Sequence, residues 1–177
     1  MTALTDPEAQ RRLAREAAGG DEAAFVALFE IHRHEVYRIA RAVTGDRETA
    51  RDALQETFLK VHEALPRWRG DCTFRTWIFR IAVRAAIDQR RRASRHRGAA
   101  APAVEPAYDP RVSMEDALAL QRVQEMAEGL PGQQGLILRL RLLGELRNAD
   151  IAEILGLQPA NVRMQLSKAV SRLREML

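Results

Sequence analysis

At 177 residues, 46% of them apolar and 29% charged, the chain carries enough apolar material for one medium core or two small ones. Its formal net charge is +4, and where that charge lies says more than the total. No apolar run approaches the roughly 18 residues of a membrane span, and the first 20 residues hold Arg11, Arg12 and Arg15 but no apolar block of the secretory kind. The single cysteine, Cys72, can form neither an internal disulfide nor a thiolate metal cluster. A cytoplasmic protein without cofactor, bound metal or direct membrane insertion is expected.

Aromatic residues are only 5%, and the abundance of Ala, Leu, Arg and Glu favours helix over strand. Phe25, Phe29, His32, Val36, Ile39 and Val43 recur at helical spacing and predict a helix to about Thr44. Gly45 ends it, and Asp46 is placed to cap the next. There Ala50, Leu54, Phe58, Val61 and Leu65 share a face until Pro66 stops the pattern. Thr73 caps a third helix, with a seam of Phe74, Trp77, Ile78, Ile81, Ala85 and Asp88. These stripes predict one helical bundle, with His32 a packed histidine rather than a ligand.

Residues 98–112 hold three prolines among small side chains and predict a flexible linker. Beyond it, Ser113 and Asp116 form a capping-box pattern opening a helix that carries Leu120, Val123 and Ala127. Leu130-Pro131 breaks that helix, and another follows to about Leu143. Residues 148–155 present Ile151, Ile154 and Leu155, then Gly156-Leu157-Gln158-Pro159 makes a tight turn. The last helix, 160–175, buries Val162, Leu166, Ala169 and Leu173. Helix, glycine turn and basic amphipathic helix form a helix-turn-helix pattern. The expected fold is all-α: a helical domain over 1–97, a flexible linker over 98–112 and a helix-turn-helix domain over 113–177.

Catalytic patterns are missing. The four histidines form no His-Glu-x-x-His, and neither a glycine-rich phosphate loop nor a Gly-x-Ser-x-Gly elbow occurs. Charge is placed more tellingly. Residues 73–97 hold eight Arg against one acid, Asp88, and residues 158–174 hold Arg163, Lys168, Arg172 and Arg174 with no acid. Two basic stretches predict two contacts with a polyanion, although solvated arginine-rich helix faces give the same pattern. On the last helix, Asn161, Arg163, Met164, Ser167 and Lys168 lie opposite the apolar stripe or on its flanks, where a groove-bound helix meets base edges. Arg172 is placed for phosphate.

Five segments carry a resemblance. Asp52-Ala-Leu-Gln-Glu-Thr-Phe-Leu59, Phe74-Arg-Thr-Trp-Ile-Phe-Arg-Ile-Ala82 and Ile87-Asp-Gln-Arg-Arg-Arg92 resemble, in order, the promoter-melting domain of bacterial sigma factors. Ile151-Ala-Glu-Ile-Leu-Gly156 and the run from Val162 to Arg174 resemble the domain that reads the −35 element. The likeness spans about residues 21–95 and 118–177, in the arrangement of the extracytoplasmic-function group.

That resemblance implies a factor that binds core RNA polymerase, opens the −10 region and recognises −35 duplex in promoter DNA, held in check by an anti-sigma factor. It assigns Asp52, Gln55, Glu56 and Leu59 to polymerase docking. It assigns the loop residues Arg67, Trp68, Arg69 and Asp71, with Arg75, Arg80 and Arg84 and then Arg90 and Arg91, to the −10 strand. Trp68 has a plainer alternative as a core plug, and Asp88 is read as a structural partner of Arg84 or Arg92. Two departures stand out. Arg147 replaces the usual serine cap, leaving the helix start either frayed or capped by Asn148, and Met164 and Gln165 replace small or basic residues. A free-standing helix-turn-helix repressor and a protein-binding adaptor working through residues 21–65 are the competing readings, and open-complex formation with core polymerase separates them.

Overall fold

The computed structural model describes residues 6–97, 122, 125–131 and 133–176. The predicted linker and the Ser113–Asp116 cap lie outside them. Among the described residues the chain is all-α.

Helix α1 (Pro7–Ala18) adds to the predicted elements. Asp6 accepts from the backbone N–H of Glu8 and Ala9, and Pro7 occupies the first turn, where its missing N–H costs nothing. Helix α2 (Glu22–Thr44) is capped by Asp21 and ends at Gly45, whose φ of 91° only glycine adopts without strain. Helix α3 (Arg47–Ala64) starts where the Asp46 carboxylate accepts from the Thr49 N–H at 2.8 Å. Pro66 turns its end into a short 3₁₀ segment, Leu65–Arg67. Thr73 Oγ1 accepts from the Thr76 N–H at 3.2 Å and opens α4 (Phe74–Arg97). After a short helical stretch at residues 125–128 come α5 (Gln134–Leu142), α6 (Asn148–Leu155) and α7 (Pro159–Met176).

Helices α2, α3 and α4 pack on one another with α1 against α2, while α5, α6 and α7 form a second unit. The two units meet where α6 packs on α4 and α5 on α2. One continuous core runs from Leu28, Ile39 and Phe58 through Phe74 and Ile78 to Leu140, Ile151 and Val162. A smaller cluster of Ala127, Leu130, Leu138 and Ala169 ties α7 to the second unit's other side. Burial covers a wider arc of α4 than its predicted seam: Phe79, Ala82, Val83 and Ala86 are also inside, because α2, α3 and α6 surround this helix. His32 is fully buried between the rings of Phe74 and Phe79.

Two local expectations are corrected. Asp88 does not turn to Arg84 or Arg92; its half-exposed carboxylate faces Lys60 of α3 at 3.9 Å. The start of α6 is fixed by Asp150 rather than Asn148. Its carboxylate accepts from the Arg147 backbone N–H at 3.2 Å and pairs with the Arg147 guanidinium at 2.9 Å, so an acid three residues on satisfies the donor that a serine cap would leave to its partner.

Candidate nucleic-acid interface

Helix α7 separates an anchored face from an open one. Val162 and Ala169 are fully buried, while Arg163, Met164, Ser167 and Lys168 are exposed in a row on the outside. The turn before it is set by Gly156 at φ 68°, with the Leu157 N–H donating back to the Ala152 carbonyl at 2.8 Å. Gln158 then caps with its carbonyl, accepting from Asn161 and Val162. Asn161 is half-buried and bonded to Gln165, whereas Arg172 donates to the Gln134 side chain of α5 at 2.9 Å. Arg172 therefore anchors the helix as well as carrying its charge.

The loop before α4 is also braced. Gly70, at φ 76°, presents its carbonyl to the Arg11 guanidinium of α1 at 2.9 Å. Trp68 is half-buried, edge-on to Phe74 with centroids 5.7 Å apart and 6.0 Å from Trp77, so it packs against the core. Arg67, Arg69, Asp71 and Arg84 point to solvent. Burial pushes the nearby Cys72 thiol up in pKa.

Arg75 and Arg80 are engaged. Arg75 donates to Glu35 at 2.8 Å, covers the Phe79 ring at 4.6 Å and lies 3.7 Å from Asp150 of α6. Burial pushes the Glu35 carboxyl up, but the neighbouring His32 and Arg75 outweigh it and hold the pKa at about 2. Arg80 donates twice to the Glu153 backbone carbonyl, at 3.1 and 3.2 Å, and Thr76 to its carboxylate at 3.3 Å. Arg38 of α2 adds an exposed ion pair with Glu145. Glu35, Asp150 and Glu153 were not expected at this site. No sequence spacing announces them, because their partners lie on other helices.

On α3, Asp52, Gln55 and Leu59 are exposed, Leu59 at 58%. Beside them runs an apolar groove of about 560 Å³ lined by Phe25, Phe29, Leu54, Phe58 and His62. Glu56 differs. It is bound to Lys60 at 2.8 Å and Arg92 at 3.0 Å and accepts from Gln89; the Lys60 hydrogen bond leads in holding its pKa low. Its first job is to join α3 to α4. Among the described residues no helix is long and apolar enough to cross a membrane, and no cluster of His, Cys, Asp or Glu could hold a metal ion.

Two helical units, the second a helix-turn-helix with an open basic face, define a DNA-binding architecture. Residues 28–96 match the family model for sigma-70 region 2, and residues 120–173 match that for sigma-70 region 4. The ECF RNA polymerase sigma factor SigM of Mycobacterium tuberculosis is 33% identical over 158 residues, covering 89% of this chain and 79% of SigM. RNA polymerase sigma factor NccH of Alcaligenes xylosoxydans xylosoxydans is 28% identical over 98% of this chain and 97% of its own. Among solved structures, CnrH in complex with the cytosolic domain of CnrY superimposes with a TM-score of 0.71 at 25% identity over 97% of each chain. RpoE of Bartonella quintana, in complex with the anti-sigma factor NepR, shares the fold at a TM-score of 0.62 and 19% identity, over 83% of this chain and 92% of RpoE. The chain belongs to the ECF sigma factors, non-enzymatic proteins that act with RNA polymerase in transcription initiation.

Proposed function

We propose that this chain gives core RNA polymerase its promoter preference by reading −35 duplex with α7 and holding the opened −10 strand along the Trp68 loop and α4. The observation that carries the reading is the exposed row Arg163, Met164, Ser167 and Lys168 on a helix whose opposite face is packed inward, with Val162 and Ala169 fully buried and Leu166 and Leu173 partly so. An anchored helix with guanidinium, ammonium and small hydroxyl groups outward fits a major groove. Asp52, Gln55 and Leu59 serve as the polymerase-docking face, with the apolar groove beside Leu59 supplying buried area.

Strand opening needs no chemical step, since capture of unpaired bases shifts the melting equilibrium. Two tethered modules add modest contacts through effective concentration. The reading places the chain in the cytoplasm under an anti-sigma regulator, as with RpoE and NepR. Reconstituted transcription tests it: core polymerase plus this chain should form open complexes on supercoiled promoter DNA and start at defined positions. Transcripts no more defined than those of core alone would overturn it.

A further inference from the structure

Where the ends of α2 and α4 meet α5 there is a cleft of about 910 Å³. Its wall carries Arg90, Arg91, Arg92, Arg95 and Arg139, against Asp88 alone among the lining residues. The acids nearby do not balance them. Asp88 faces Lys60, and Glu56 takes up Arg92. Glu128 serves Arg90 at 3.2 Å. Arg91 has no ion-pair partner among the described residues.

Arg139 is the unusual member. Its side chain is 7% exposed, and Nε and Nη1 are buried with no hydrogen-bond partner among the described residues. The Glu128 carboxylate stands 3.9 Å from Nη1, beyond hydrogen-bond reach and already held by Arg90. Burial first, and then the charge of Arg90, pull its pKa down to about 10, which leaves it cationic at neutral pH. A desolvated guanidinium with unmet N–H groups is costly, and an anion in the cleft beside it offsets its uncompensated charge.

We propose that this cleft binds a small phosphorylated anion of nucleoside-polyphosphate size, with phosphates on Arg139, Arg91 and Arg95 and the organic part against Val43, Ile87 and Leu136. The cleft volume falls in the roughly 300–1,000 Å³ range of small-molecule sites. The cleft admits a small anion to its arginine-rich wall, whereas the convex surface of a duplex does not enter a recess of this size. Because the lining comes from both units, the ligand clamps them in the docked arrangement. Arg91 is shared with the proposed −10 path whereas Arg139 is not, and the test of the site needs neither polymerase nor promoter.

Calorimetric titration of the full chain with ATP and with inorganic tripolyphosphate, at matched ionic strength, tests the site. Saturable ATP binding is expected, accompanied by a rise in Tm. Arg139→Met, which keeps length without charge, should weaken it about tenfold or more, as loss of a charge-assisted contact does. Arg91→Ala, at an exposed position that does not threaten folding, should do likewise. Weaker binding of tripolyphosphate than of ATP supports the apolar wall, and equal binding removes that part of the assignment. No saturable binding of either compound, or parental affinity in both variants, would overturn the site. So would a single-stranded oligonucleotide binding where ATP does not.

Discussion

Arg75 of α4 lies 3.7 Å from Asp150 of α6 while donating to Glu35 of α2 at 2.8 Å, so one guanidinium joins the first helical unit's own packing to its contact with the second. On the proposed reading, Asp150 competes with a nucleic-acid phosphate for the Arg75 guanidinium. Partly exposed pairs contribute about 0.2–1 kcal/mol, so Asp150→Asn should raise affinity for single-stranded −10 DNA by only about two- to fivefold. Fluorescence anisotropy on a labelled oligonucleotide measures it, and unchanged or reduced affinity counts against competition.

The Glu35 pair gives a pH signature. Its carboxyl is lowered from an ordinary 4.5 to about 2, so the stabilisation is complete above pH 4.5 and is lost as pH falls toward 2. The contribution is on the order of 2–3 kcal/mol, and Glu35→Gln should remove it. The difference in stability between parent and variant, followed by denaturant unfolding, should be largest near neutrality and shrink between pH 4.5 and 2. A difference independent of pH would mean that Glu35 acts by shape alone.

Gly135 should resist any side chain. A Cβ there would stand 2.1 Å from the Ala127 backbone carbonyl oxygen, and a carbonyl fixed in a packed helix cannot step aside as a flexible side chain would. Gly135→Ala should cost about 1–3 kcal/mol, read by chemical denaturation, despite alanine's better helix propensity.

Polymerase docking is best probed at exposed positions. Gln55→Lys with Leu59→Glu should leave Tm nearly unchanged, since surface changes of this kind cost about 0.5 kcal/mol or less. The same double change should weaken competition for core polymerase about tenfold or more. Glu56→Lys is a poorer probe, because it also breaks the contacts with Lys60 and Arg92. A folded double variant that competes as well as the parent would remove α3 from the interface.

On α7 the exposed Lys168 and the anchored Arg172 should behave differently. Lys168→Ala should cost about 1–3 kcal/mol on the preferred −35 sequence and relax preference at one base position. Arg172→Ala should weaken all sequences alike, reduce the salt slope by roughly one, and lower stability slightly through the lost Gln134 bond. Binding curves on −35 point mutants at two salt concentrations separate these outcomes. Uniform loss for Lys168→Ala would exclude it as a base reader.

What the sequence determined by itself is what local physics controls. Apolar residues at helical spacing located α2, α3, α4, α6 and α7, and Asp46, Thr73, Gly45 and Gly156 marked their ends, because caps and left-handed turns depend on a few adjacent residues. The same periodicity kept Lys168 outside and His32 inside. Helix α1 was not read from the sequence, because it is too poor in large apolar residues to register as a stripe. Only the tertiary structure decided which charges meet. Glu35, Asp150 and Glu153 reach Arg75, Arg80 and Thr76 across helices, Glu56 turns inward to Arg92, and Arg139, unremarkable on its own helix, becomes the buried cation of a cleft. Periodicity reports that a helix has a face to bury, but not which neighbour covers it; that choice arises when distant segments pack and exclude water together.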